Sequence, residues 1–192
     1  MPPLASLASV SPLELASAGD RARAKAAVVA YYDFVWRVLR RHGLSSDEAD
    51  DTTQEVFAVL ATKISFVGPG AEKAYLFQTA GRLAANVRRR RARLPAQAGD
   101  EELDAHPDPR PTPESLADAN EQWSLLDALL ARLPDEQRSV FILCELETMT
   151  ASEVAVMLDV PPGTVASRLR RARTLLLAWM EEVAADTRKD ER

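Results

Sequence analysis

The chain has 192 residues, 46% of them hydrophobic and 28% charged, with a net charge of −5. That length gives room for one ordinary domain or two small ones. The acidic average argues against a non-specific nucleic-acid coat, the single Cys144 excludes a disulfide framework or a cysteine-rich metal site, and no stretch approaches the roughly 18 uninterrupted apolar residues of a membrane-spanning helix.

The chain opens, over residues 1–21, with an alanine- and serine-rich stretch that has no basic segment ahead of its apolar residues. It reads as a flexible leader rather than a signal peptide. Residues 22–93 carry helical periodicity. Only seven glycines and long Ala/Leu/Arg/Glu stretches favour helix over strand throughout, which predicts an all-α chain. A first helix is predicted over Ala24–Arg41, with Val28, Tyr31, Val35, Val38 and Leu39 at core spacing and Gly43 at its end. Ser46 is the expected cap of a second helix whose apolar side is Val56, Phe57 and Leu60. Ser65–Gly70 is a loop by its own chemistry. A third helix is predicted over Ala71–Arg91, with Leu76, Phe77, Ala80, Leu83 and Val87 inside.

Charge along the chain is segregated. Residues 82–93 hold six arginines and no acid, whereas 100–121 hold eight acids against the single Arg110. Local patches set the field that a polyanion feels, so the acidic average leaves DNA binding open. Residues 94–113, with five prolines and a cluster of acids, cannot bury enough apolar surface to fold alone and read as a linker. A second helical unit is expected over 114–184, followed by a charged tail over 185–192. Within it, Ser115–Arg132 and Pro134–Glu145 are predicted helices, and Cys144 is a small core residue rather than a redox centre. His42 and His106 are far apart, with no ligand spacing, and neither a metal nor a cofactor is expected.

The segment 150–176 carries the sharpest pattern. Two short helices are predicted on either side of Asp159-Val160-Pro161-Pro162-Gly163. In the first, Val154, Ala155 and Leu158 share a face. In the second, Val165, Leu169, Ala172 and Leu176 form one stripe, while Thr164, Ser167, Arg168 and Arg171 lie on a flank that the stripe leaves exposed. Pro162 suits a first helical turn, where a missing N–H costs nothing. Four arginines between 168 and 173, with no acid among them, separate this from an ordinary solvated helical hairpin. The pattern is a helix-turn-helix that packs on its domain while entering a major groove.

Two motifs carry a family resemblance. Asp47-Glu48-Ala49-Asp50-Asp51-Thr52-Thr53-Gln54-Glu55-Val56-Phe57 resembles the acidic helix of the sigma-70 family of bacterial RNA polymerase initiation factors, in the compact extracytoplasmic function (ECF) group. Leu133–Phe141 followed by Gly163–Arg173 resembles that family's carboxy-terminal region. The likeness covers about 24–93 and 120–180. Leu60 replaces a tryptophan frequent in the family, Gly81-Arg82 replaces a frequent Arg-Asn pair, and Asp159 stands at the usual glycine of the turn.

The resemblance implies a core polymerase-docking surface at Asp47, Asp50, Asp51, Gln54, Glu55 and Val56. It implies that Lys73, Tyr75, Arg82, Asn86, Arg88 and Arg89 handle the melted minus-10 element, with the loop before the third helix, Ile64–Glu72, capturing a flipped base. Unpaired bases need stacking surfaces and a basic track, for which Phe66, Tyr75 and the 88–91 arginines are available. At the duplex minus-35 element, Ser167, Arg168 and Arg171 are expected at base edges and Thr164, Arg170 and Arg173 nearer the phosphates. The implied partners are core RNA polymerase, promoter DNA and an anti-sigma factor, in the cytoplasm and without membrane insertion. Two other readings stay open: an autonomous helix-turn-helix regulator acting without polymerase, and a pure antagonist of initiation. No phosphate-cradling glycine loop, nucleophile elbow or metal cluster points to an enzyme.

Overall fold

The computed structural model describes residues 17–93 and 125–190, with side chains described through 183. The expected leader (apart from its last residues), the 94–113 linker and the 115–124 part of one predicted helix lie outside the described residues. Every regular element in the described residues is helical.

The first unit is a three-helix bundle of α1 (Ala18–Arg41), α2 (Ser46–Lys63) and α3 (Glu72–Arg93), with a 3₁₀ turn at Ile64–Phe66. Helix α1 starts six residues earlier than its apolar spacing indicates, because the Ser17 hydroxyl accepts the amide of Asp20 as an N-cap. It ends in a Schellman turn. Gly43, at φ 85°, donates to the Arg40 carbonyl and Leu44 to that of Leu39. Ser45, not Ser46, caps α2, and it does so with Glu48 in a reciprocal capping box. The S-x-x-E signature starts at Ser45, which decides between two adjacent serines. Val35, Val38, Leu39, Val56, Leu60, Leu76, Ala80 and Ala84 have no exposed surface and form the centre of this bundle. Val28 is 38% exposed, so it lies outside the core spacing assigned to it.

The second unit comprises residues 125–132 (α4), α5 (Asp135–Phe141), α6 (Ala151–Leu158) and α7 (Pro162–Asp190). The predicted Pro134–Glu145 helix is interrupted: α5 passes at Ile142–Leu146 into a π-helical turn. The wider turn puts Ile142 and Leu143 into the core while Cys144 stays half-buried. Burial pushes the Cys144 thiol above its ordinary pKa, which keeps it protonated. Thr150 and Glu153 form a second capping box at α6. Val154, Ala155, Val165, Ala172 and Leu176 are buried, as the two predicted stripes require, and Met157 joins them.

Arg138 ties α4 to α5. It is 2% exposed, and its guanidinium donates to the carbonyls of Leu130 (2.6 Å), Ala131 (2.7 Å) and Leu133 (2.6 Å) while pairing with Asp135 at 3.0 Å. These carbonyls lie at the end of α4, where a helix runs short of intrahelical donors; that of Leu130 also accepts the Leu133 amide at 3.1 Å. Desolvation lowers its pKa to about 10, and it remains charged.

Candidate nucleic-acid and partner interface

Helix α2 presents an acidic outer face. Asp47, Asp50, Asp51, Gln54 and Glu55 are exposed, whereas Val56 is fully buried against the bundle. Val56 therefore supports this face from beneath rather than forming part of it, because its own apolar surface is already consumed. Asp50 is fixed by the Trp36 indole N–H at 2.7 Å. Asp47 and Glu48 also lie in the first turn, where negative charge complements the helix dipole.

Ahead of α3, the chain turns through an exposed loop. Phe66 is 84% exposed, and the Lys63 ammonium sits 5.9 Å from its ring centre. This loop is tethered from behind by Arg23 of α1, which donates to Glu72 at 2.6 and 3.0 Å and to the Val67 carbonyl at 2.8 Å. The Arg23 hydrogen bonds hold the Glu72 carboxyl below its ordinary pKa. Apart from a local pair with Asp20 at 3.6 Å, the partners of Arg23 lie more than forty positions away, so its tether to the loop carries no signal in the sequence.

The six residues of α3 singled out in the sequence divide. Tyr75 is half-buried against the core, and Lys73 lies over the Phe34 ring at 4.6 Å. Arg82 is exposed and donates to the Thr79 hydroxyl at 3.1 Å. Asn86 and Arg89 bond to each other and, with Arg90 and Arg93, line one concave basic facet. These four fall at i, i+3, i+4 and i+7, one face of a helix. Arg88 points elsewhere. It donates to the His42 carbonyl at 2.7 Å and pairs with Asp135 of the second unit, and Arg91 bonds Gly43 and Glu48 at 2.9 Å each. Of the 88–91 run, Arg89 and Arg90 are thus left for the facet.

On α7, Val165, Leu169, Ala172 and Leu176 turn inward, and Arg170 and Arg171 are exposed. Thr164, Ser167 and Arg168 are partly exposed on the adjoining flank, and the Ser167 hydroxyl donates to the Thr164 carbonyl at 3.0 Å. Two of the arginines have acidic partners that sequence inspection missed: Arg168 pairs with Glu136 at 2.6 Å, and Arg173 with Glu145. Such exposed pairs contribute about 0–1 kcal/mol, so incoming phosphates displace them easily. In the turn, Asp159 adopts the left-handed conformation, φ 54°, that its glycine-like position requires.

Three comparisons bear on this arrangement. The sequence profile of Sigma-70 region 2 matches residues 27–94, and that of Sigma-70 region 4 matches 124–176. The ECF RNA polymerase sigma factor SigE of Mycolicibacterium smegmatis is 30% identical over 155 residues, covering 81% of this chain and 60% of that protein. The ECF RNA polymerase sigma factor ShbA of Streptomyces griseus is 31% identical over 150 residues, covering 76% and 78%. Among solved structures, the sigma factor RpoE in complex with the anti-sigma factor NepR from Bartonella quintana shares the fold. Its TM-score is 0.60 at 20% identity, over 82% of this chain and 96% of that one.

Proposed function

The chain belongs to the sigma-70 family, in its ECF group, and from that premise we propose how its surfaces divide the work of starting transcription. The exposed acids of α2, Asp47, Asp50, Asp51 and Glu55 with Gln54, dock on core RNA polymerase. Helix α7 enters the major groove of the minus-35 element, with Ser167, Arg168 and Arg171 at base edges and Thr164, Arg170 and Arg173 at phosphates. The Phe66 loop, Tyr75 and the basic side of α3 (Lys73, Arg82, Asn86, Arg89 and, once released from Asp135, Arg88) hold the melted minus-10 strand. The chain makes or breaks no bond; that chemistry belongs to the polymerase. An anti-sigma protein is the matching regulatory partner, as NepR is for RpoE, and the cytoplasm, where polymerase and promoter meet, is the place of action. No helix among the described residues is long and apolar enough to cross a membrane.

The observation that carries this reading is the separation of two exposed surfaces of opposite charge, acids on α2 and arginines on α7. An acidic helix faces a protein, and an arginine-rich helix behind a turn faces DNA. Purified chain added to core RNA polymerase should give promoter-dependent transcripts. Charge reversal at Asp51 and Glu55 should abolish capture of core polymerase with folding retained. DNA binding at full affinity without polymerase, together with no transcripts, would favour an autonomous regulator instead.

A further inference from the structure

Residues 18–23 of α1 bury no side chain, so the core does not account for the start of this helix ahead of its apolar spacing. What the extension carries is Arg23. The Ser17 cap fixes the first turn, its hydroxyl also donating to the Asp20 carboxylate at 2.9 Å, and Asp20 lies 3.6 Å from the Arg23 guanidinium. Across the bundle, the Arg23 Nη2 donates both to the Val67 carbonyl at 2.8 Å and to Glu72 at 2.6 Å, and Nε donates to the same carboxylate oxygen at 3.0 Å. Val67 and Glu72 are the two feet of the loop that follows Phe66. Between them, residues 68–71 are exposed, and a Cβ on Gly68 or Gly70 would meet nothing within 4 Å. The Ala71 amide closes the turn on the Gly68 carbonyl at 3.0 Å.

We infer that Arg23 is a positioning residue for capture of the minus-10 base: it fastens both feet of the Phe66 loop and so holds Phe66 where an unpaired base stacks. The inference rests on the promoter reading above. A stacking surface selects among bases only if it keeps one position, and a loop whose tip touches nothing must be held at its feet. The near foot is held from inside by the buried side chains of Ile64 and Val67, with the exposed Phe66 between them. The far foot is Glu72, the first residue of α3, and Arg23 joins it to the near one. Those hydrogen bonds keep the Glu72 carboxyl below its ordinary pKa, so the tether is charge-assisted at neutral pH. Without Arg23 the loop orders only as the base binds, which weakens capture, and a loop free to reshape accommodates wrong bases.

The full chain, assembled with core polymerase, is tested on promoter libraries randomised at the minus-10 or the minus-35 element. Arg23→Ala should lower the preference for the favoured base at the captured minus-10 position about tenfold, with the minus-35 preference unchanged. Arg23→Lys should fall between the two, since an ammonium lacks the planar fork. Glu72→Ala should share part of the defect and add nothing on top of Arg23→Ala, as groups acting as one unit do. Phe66→Ala separates the inference from the reading beneath it. If Phe66→Ala loses the minus-10 preference and Arg23→Ala keeps it, the inference alone is overturned; if both keep it, the loop reading falls as well. Arg23→Ala protein that loses preference at both elements alike has a general defect, and that result also overturns the inference. Hydrogen exchange in the free chain gives a second readout. The hydrogen-bonded Val67 and Ala71 amides should exchange about tenfold faster in Arg23→Ala while those of α2 keep their protection, and unchanged exchange in the loop overturns the inference.

Discussion

Thr148, between the π-helical turn and α6, has φ 52°. A β-branched residue crowds its own carbonyl there, at a cost of about 1–2 kcal/mol that glycine does not incur. Thr148→Gly should therefore raise the unfolding free energy by about 1 kcal/mol in a urea titration, the entropy of the added glycine offsetting part of the relief. Asp159 occupies the same region at φ 54°, but its short polar side chain tolerates it better, so the gain there is smaller. Gly81 is the reverse case. It sits inside α3 with ordinary helical geometry, and a Cβ there would meet nothing within 4 Å. Gly81→Ala should stabilise the fold by about 1 kcal/mol, again read by urea titration, because no close approach requires the glycine.

Among the elements, the α4–α5 corner depends on one side chain. Arg138 serves three carbonyls and one carboxylate from a buried position, so Arg138→Met removes the shared donor from all of them at once. That substitution should cost at least about 3 kcal/mol, lowering the thermal midpoint, and lysine should not rescue it because a single ammonium cannot fork to three acceptors. On α7 the arginines should separate by role. Arg171→Ala should relax sequence preference at one or two minus-35 positions, since a bidentate arginine–guanine pair discriminates by about 1–3 kcal/mol. Arg173→Ala should weaken all sequences alike and flatten the salt dependence of binding. Holoenzyme binding to a randomised minus-35 library, repeated at two salt concentrations, checks both. Loss of affinity with unchanged preference in Arg171→Ala would show that the base contacts lie elsewhere on the helix.

At the scale of the whole molecule, two titratable groups where the units meet, the buried His42 and the half-buried Asp127, pull in opposite directions. His42, at the end of α1, is 1% exposed, neither ring nitrogen has a partner, and Phe77 packs edge-on against it. Desolvation, with Arg138 and Arg88 outweighing Asp135, lowers its pKa from 6.5 to about 3. Between those values the unfolded chain carries the extra proton, so the stability from neutral His42 is complete above pH 6.5 and is lost as pH falls. Asp127 of α4 is raised from 3.8 to about 6 by desolvation, against the pull of Arg40 and Arg41. Here the folded chain carries the extra proton, so stability falls as pH rises from 3.8 to 6. Between about pH 4 and 6 the two slopes, each near 1.4 kcal/mol per pH unit, cancel. Asp127→Asn should expose the histidine slope and make the chain lose stability steadily below pH 6.5. His42→Gln should expose the opposite slope, with stability rising from pH 6 to 4. Urea titrations at pH 7, 6, 5 and 4 check both.

The local sequence was sufficient wherever partners lie within one or two helical turns. The α2 acids, the inward stripe of α7, the turn at Asp159–Pro161 and the capping signatures are short-range patterns, and periodicity or a cap needs only residues three or four positions apart. Ordinary ambiguity remained at that scale, as with Ser45 against Ser46; the 3₁₀ turn at Ile64–Phe66 and the π-helical turn were missed, and α7 runs on to Asp190 where a short helix and a charged tail over 185–192 were expected. Long-range placement was different. Arg88 and Arg89 are identical neighbours in a basic run, yet one turns to Asp135 and His42 and the other to the outer facet; only the position of a second unit dozens of residues away distinguishes them. Val56 had to be buried for α2 to pack, which removed it from a surface its motif implied. Glu136, Glu145 and Glu147 find their arginines across 32, 28 and 106 positions. The sequence alone determined most of the helices, their main faces and the family, because those are written in local periodicity and motif. The tertiary structure alone decided which charges are free to meet DNA, because that depends on which of them folding has already paired.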